Sequence, residues 1–274
     1  DDPMRVSDSI LNHSGLAHLT FTGSTAVGKL LAGHLGSRMK TYSMELGGHA
    51  PFIVFPDANI DQAVTDLAFI KFRNAGQTCV NPNRVFVHAT VNDEFIAKFR
   101  EAVEKHTVGN GFDEATTVGP LIDQDAVSKV DFHVQDAVSR GATVITGGHK
   151  IDREGTFYAP TVITGVDYSM MIANEETFGP VAPIFEFSDT DDIWSLANSS
   201  PYGLIAYVYT ESLETAFRAA ERLDYGVIGV NDPRPGSAQT PFGGVKDSGV
   251  GREGGREGMY EFMTTHSVSL GVKG

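Results

Sequence analysis

Cys79 is the only cysteine in the 274-residue chain, and it follows a glycine turn in the run Asn74-Ala75-Gly76-Gln77-Thr78-Cys79. A thiolate is a strong nucleophile with a reference pKa of about 8.5, which local fields can lower. The backbone N–H of the same residue can help hold the oxyanion formed when a carbonyl is attacked. A buried structural cysteine is common, but a Gly-Gln-Thr loop is a poor home for an inert core thiol. A single cysteine excludes an internal disulfide and a multi-cysteine metal site, and it suits a reducing compartment.

A partner for such a nucleophile lies in Met44-Glu45-Leu46-Gly47-Gly48. Here a carboxylate ends an apolar strand beside two glycines that admit close neighbours. Partial burial would raise it from about 4.3 toward neutrality, the range of a base that activates water. Taken alone, the pattern fits an ion-paired strand-end glutamate better.

Three further segments carry chemistry less specifically. Phe21-Thr22-Gly23-Ser24-Thr25-Ala26-Val27-Gly28-Lys29 is a strand, a turn and a helix start, and free N–H groups at a helix N-terminus suit phosphate. It lacks the Gly-Lys-Ser/Thr ending of a Walker loop and equally fits a capped helix with nothing bound. In Glu175-Glu176-Thr177-Phe178-Gly179-Pro180 a carboxylate could accept from a sugar diol and an aromatic could pack on a flat ring. Alone, it reads as a charged turn anchored by phenylalanine. The run from Pro241 to Glu253 reads as a glycine-rich loop with Phe242 as its apolar anchor.

The elements that must position these groups alternate. Short β-branched runs at 19–21, 41–46, 84–88, 143–145, 181–187, 204–209 and 227–230 predict strands. Amphipathic stretches at 25–35, 59–74, 91–106, 123–140, 189–198 and 212–223 predict helices. This alternation predicts an α/β fold with a largely parallel sheet. Residues 233–255 have little periodicity and read as a long functional loop. Residues 265–270 read as a terminal strand suited to subunit pairing. Net charge is −14, with no dense basic cluster, which argues against nucleic acid. No apolar run approaches the roughly 20 residues of a membrane helix, and the polar start, Asp1-Asp2-Pro3, has no signal core. A cytoplasmic protein is expected.

Together and in this order, the five segments resemble the aldehyde dehydrogenase superfamily across residues 21–270. Residues Lys71 to Cys79, with Gly243-Gly244-Val245-Lys246, are most similar to succinate-semialdehyde dehydrogenases. The resemblance implies a three-layer α/β catalytic domain with a parallel sheet over residues 48–250. It also implies the remnant of a Rossmann-like cofactor domain over 1–47 and a C-terminal segment, 251–274, with an oligomerisation strand. It implies that Cys79 attacks an aldehyde to give a thiohemiacetal, that hydride leaves to NAD or NADP, and that Glu45 activates the water that hydrolyses the resulting thioester. Gly23 and Ser24 would contact the pyrophosphate, Val27 the adenine and Leu46 the nicotinamide, with Gly28 in the same cofactor-binding turn. Glu176 would hold the nicotinamide ribose, Phe178 would pack near the ring, and Phe242 would wall the substrate tunnel.

A semialdehyde's remote carboxylate requires a cation, and a guanidinium grips a carboxylate with two prongs. Arg73 is the candidate, its alternative being an ion-paired helix residue. Arg234, Ser237 and Gln239 are weaker candidates. A homo-oligomer, dimer or tetramer, is expected.

Three departures from the family pattern are visible. Relatives are longer, and the missing part precedes Asp1. It would hold most dinucleotide-binding strands, an oxyanion-hole asparagine and an adenine-ribose lysine, so the chain is expected to be a C-terminal fragment that binds cofactor poorly. Asn81 stands where some succinate-semialdehyde enzymes carry a second, redox-active cysteine. Pro233-Arg234-Pro235-Gly236-Ser237 differs from the subgroup's loop, where a serine would align near Gly236. Two other readings compete: a cofactor-independent thiol esterase using the same pair, and an inactive chain acting through its terminal strand.

Overall fold

The structure, a computed structural model, describes residues 3–272. Residues 1–2 and 273–274, the outer ends of the expected first and last segments, lie outside the described residues. In chain order the elements are α1 (Pro3–Leu11), β1 (His18–Thr22), α2 (Thr25–Gly36), β2 (Thr41–Glu45), β3 (Ala50–Val54), α3 (Ile60–Phe72), β4 (Pro82–His88), α4 (Asn92–Glu104), α5 (Gln124–Ser139), β5 (Thr143–Thr146) and β6 (Thr161–Thr164). They continue as α6 (Met171–Asn174), β7 (Val181–Phe187), α7 (Ile193–Asn198), β8 (Tyr202–Gly203), β9 (Ile205–Tyr209), α8 (Leu213–Arg222), β10 (Val227–Val230), β11 (Val245–Lys246), β12 (Gly249–Val250) and α9 (Glu257–Tyr260).

A seven-stranded sheet of order β10-β9-β3-β4-β7-β6-β5 forms the larger body. All neighbours are parallel except β5 on β6. The expected α/β fold with a large parallel sheet is therefore present. Every residue of β3, β4 and β9 is buried, as expected of parallel strands covered on both faces. Helices α3, α4 and α6 pack on β4, and α8 packs on β10.

A second, three-stranded sheet has the order β1-β2-β12. The chain leaves its middle strand at Glu45 and enters the large sheet at Ala50, so Glu45-Leu46-Gly47-Gly48 is the junction between the two sheets.

Several expectations need correction. β3 is a central strand where none was expected. Its Pro51 hides the pattern, and it is tolerated because the register shifts between Ala50 and Pro51, which spares a missing donor. The expected loop 233–255 is in part sheet: β11 pairs with β8, β12 pairs antiparallel with β2, and Phe242 bridges to Glu253. Two-residue strands are too short to show a period. Residues 264–272 carry no regular structure, so the strand expected at 265–270 is absent from the single chain, where it has no neighbour to pair with.

Candidate active site

Cys79, the candidate nucleophile, follows a left-handed turn. After α3, Asn74, Ala75 and Gly76 take φ values of 53°, 54° and 76°. An alanine there costs on the order of 1–2 kcal/mol, so the turn needs bracing. Asn74 Nδ2 donates to the Gln77 carbonyl, and Gln77 Nε2 donates back to the Asn74 carbonyl, each at 3.0 Å. The Ile122 N–H donates to Gln77 Oε1 at 2.8 Å. Gly76 admits no side chain, because a Cβ would lie 2.1 Å from the Gly179 carbonyl oxygen.

Beyond the turn, fully buried Lys71 donates to Asn81 Oδ1, the Pro82 carbonyl and Asn83 Oδ1, while Asn81 Nδ2 returns a bond to the Lys71 carbonyl. Three ammonium donors meeting three oxygens close the loop that carries Arg73 and Cys79. Sequence reasoning missed Lys71, since nothing in Lys-Phe-Arg marks a buried cation.

Half-buried Cys79 has a thiol pushed up to about 11, first by burial, then by the Glu176 and Glu45 carboxylates. The backbone N–H groups of Cys79 and Val80 pull it down by less. The surroundings thus raise the thiol rather than lower it, chiefly because it is buried and next because two carboxylates share its cavity.

Glu45 ends β2 and is 6% exposed. Burial raises its carboxyl to about 8, with Glu253 adding to the shift and Arg252 opposing it. Oε2 is buried and has no hydrogen-bond partner among the described residues. A carboxylate held this way keeps a free lone pair for a water proton. Gly243 presses on the same carboxylate, its absent Cβ falling 2.8 Å from Oε1. The junction is fixed by Ser248, fully buried, whose hydroxyl donates to the Gly47 carbonyl at 2.7 Å and accepts from the Gly203 N–H at 2.9 Å. Gly48 lets the two sheets touch: a Cβ there would lie 2.1 Å from the Cys79 carbonyl oxygen.

One cavity of about 610 Å³ joins these groups. Cys79 and Glu45 line it together with Gly23, Ser24, Leu46, Glu176 and Phe178. Glu176 Oε1 accepts from the Gly48 N–H at 3.0 Å, and burial raises its carboxyl. Lys129 also lines the cavity and donates to the Glu176 carbonyl at 2.6 Å. Its position on α5, three residues after another lining residue, Ala126, was a signal that only the folded loop makes readable. Ser24 caps α2 by accepting from the Val27 N–H at 3.4 Å. Phe178 is held at φ 55°.

Other candidates stand apart from this cavity. Val27 is exposed on α2, and Gly28 is a packing glycine whose Cβ would meet Leu46 Cδ2 at 2.4 Å. Arg73 is exposed at the end of α3. Ser237 is exposed and bonded to Thr240, and Phe242 is half-buried with its backbone paired to Glu253.

Comparison with known proteins places the chain in a family. The sequence pattern of the aldehyde dehydrogenase family matches residues 2–268. A protein described as probable succinate-semialdehyde dehydrogenase [NADP(+)] from Sinorhizobium fredii is 49% identical over 92% of this chain and 52% of its own length. The 3-sulfolactaldehyde dehydrogenase of Pseudomonas putida is 45% identical over 97% of this chain and 55% of its own. The crystal structure of succinate-semialdehyde dehydrogenase from Burkholderia pseudomallei superposes with a TM-score of 0.93 at 45% identity, covering 95% of this chain and 54% of that one. The chain spans about half the length of the curated relatives it matches. A family match over residues 2–268, with relatives 45–49% identical over more than nine-tenths of the chain, shows that the chain belongs to the aldehyde dehydrogenase family.

Proposed function

We propose that the chain carries the catalytic half of an NAD(P)-dependent aldehyde dehydrogenase that oxidises an acid-tailed aldehyde, of which succinate semialdehyde is the first candidate. The observation that carries this is the single cavity shared by a thiol, an unpartnered buried carboxylate and a helix N-terminus. Its residues fit a dinucleotide. Gly23 and the start of α2 offer close approach and N–H donors to phosphate, and Glu176 keeps Oε2 for a ribose diol. A bound NAD or NADP would supply the hydride acceptor.

The protein's own groups do the rest. Cys79 Sγ attacks the aldehyde carbon, and the Cys79 and Val80 N–H groups, which already face the sulfur, help hold the charge that develops. Moving the thiol proton to Glu45, from about 11 to about 8, costs on the order of 4 kcal/mol. A turnover of about 10 per second corresponds to a barrier of about 16 kcal/mol, so this step is affordable. Glu45 gives that proton up to solvent. Once the thiohemiacetal is oxidised to a thioester, Glu45 Oε2 takes a proton from water, the hydroxide adds to the carbonyl carbon, Cys79 leaves as thiolate and recovers the proton, and the acid departs. Arg73, Ser237 and Phe242 are assigned to the substrate's side. A homo-oligomer built through residues 264–272, whose Val268 and Leu270 are exposed, and a cytoplasmic site of action belong to the same proposal. Among the described residues no helix is long and apolar enough to cross a membrane.

The test is Cys79→Ala in an assay of NAD(P)H formation from succinate semialdehyde. Activity equal to wild type would end this reading. Hydrolysis of an activated ester without cofactor, lost in the same variant, would instead support a thiol esterase using the same pair.

A further inference from the structure

The segment after β10 lies along α3 and ends at the base. Gln62 Nε2, near the start of α3, donates to the Asn231 carbonyl at 3.1 Å. Seven residues further along α3, the Arg234 guanidinium sits over the Phe69 ring, 4.9 Å from its centre. The segment then reaches Gly243, against the Glu45 carboxylate. Phe69 and Arg73 are four residues apart, one helical turn, so Arg234 rests on the turn of α3 that precedes Arg73, and Arg73 opens the turn that leads to Cys79.

Both guanidinium groups are exposed and without a hydrogen-bond or ion-pair partner among the described residues. The neighbouring carboxylates are engaged elsewhere: Asp232 accepts from the Arg234 backbone N–H, and Asp66 accepts from the Tyr209 hydroxyl. Elsewhere on this acidic surface Arg100, Arg140 and Arg218 each pair with a carboxylate one turn away.

We propose that Arg234 is a second specificity-determining cation of the substrate entrance, and that with Arg73 it selects aldehydes whose far end carries two negative charges. This rests on the dehydrogenase reading above. One guanidinium satisfies one carboxylate through two parallel bonds. A second, pinned on an aromatic face, adds nothing for a neutral tail and meets a second charge when the tail carries one. Arg73 fixes the first anion, and Arg234 fixes the other, whether a second carboxylate or the second charge of a phosphonate.

The experiment compares kcat/KM for a neutral aldehyde, for succinate semialdehyde, and for aldehydes ending in a malonate-type dicarboxylate or a phosphonate. In wild type the doubly charged tails are expected to be favoured about tenfold over the singly charged one, the size of one well-placed charge contact. Arg234→Leu removes that factor, Arg234→Lys restores part of it, and Arg73→Leu lowers both charged classes against the neutral one. Loss with only one of the two doubly charged tails identifies which source the site reads. A doubly-to-singly charged ratio unchanged in Arg234→Leu overturns the proposal.

A second arm needs no turnover. Malonate should slow iodoacetamide alkylation of Cys79 at lower concentration than acetate does, and Arg234→Leu should raise the malonate concentration needed about tenfold. Equal half-protection in the two proteins overturns the proposal. Absence of aldehyde oxidation in wild type, with protection still differing, would overturn only the dehydrogenase reading.

Discussion

Cys79 and Glu45, the proposed nucleophile and base, stand on unequal foundations. Cys79 is delivered by the large sheet, whose strands β3, β4 and β9 are buried at every position and share one extended core with α3, α4 and α5. Glu45 ends the middle strand of the small sheet, whose buried core is four side chains: Leu11, Leu35, Met44 and Leu46. Strand β1 is half-exposed along its length. Large cores resist displacement because every shift breaks many contacts at once, whereas a core of four residues has little to lose. The difference teaches that the base is the movable partner. It is held less by its own sheet than by the returning segment: Gly249 opposes Glu45 in β12, the Leu46 N–H donates to the Ser248 carbonyl, and Gly243 abuts the carboxylate.

The sharpest break comes from the base itself. Glu45→Gln should lower aldehyde turnover by about 10²–10⁴, the usual worth of a general base, with thioester accumulating on Cys79 in a mass measurement. The same change should stabilise the protein at high pH. The carboxyl titrates at about 8 in the fold against 4.5 when unshielded. Its contribution to stability is therefore fully present below 4.5 and lost as pH rises through 8. Melting curves should show Glu45→Gln above wild type at pH 9, by at most on the order of 5 kcal/mol, with the gap closing at pH 4. A gap independent of pH would mean that Glu45 is not held protonated by burial.

Gly76→Ala tests the strong side. A Cβ 2.1 Å from a backbone oxygen must move the Cys79 loop or the Glu175–Pro180 loop. Displacement of a reacting group by about 1 Å costs about hundredfold in rate. The expected signature is opposite to that of the base: Cys79 alkylation slows together with turnover, and no thioester accumulates.

The strong side was also the more legible one in sequence. Helices α3, α4, α5 and α8 repeat their apolar residues at helical spacing over two turns or more and stand within two residues of expectation. Cys79, Glu45, Gly23, Ser24, Leu46, Glu176 and Phe178 share one cavity because each lies beside a glycine or turn that announces itself in the chain. What stayed hidden depends on long-range pairing. Ser248 and Gly249 act on residues about two hundred positions away, and Lys71 is recognisable only once Asn81 and Asn83 have folded over it. The direction of the thiol's shift was hidden for the same reason, since the burial that raises it, and the Glu176 and Glu45 carboxylates that add to it, exist only in the folded chain.

Leu35→Ala separates the two foundations directly. Leu35 is fully buried in the four-residue core, and truncating such a side chain costs about 2–5 kcal/mol. Local opening of the small sheet should then lower thioester hydrolysis while Cys79 alkylation by iodoacetamide keeps its wild-type rate. Equal losses in both assays would show that the two sheets melt as one unit and that Glu45 is no more movable than Cys79.

The mildest probe asks whether charge helps fasten the base. Lys29 on α2 meets Asp247 at 2.6 Å, just ahead of β12, with both side chains well exposed. An exposed pair contributes no more than about 1 kcal/mol and weakens as salt screens it. Because Thr25 Oγ1 also donates to the Asp247 carbonyl at 3.2 Å, α2 should keep its place in Lys29→Ala. Thioester hydrolysis should therefore fall less than about fivefold, and the deficit should vanish in 1 M salt. A larger loss that persists in salt would mean that the returning segment is set by this contact rather than by buried Ser248, and that the small sheet is weaker still than its core implies.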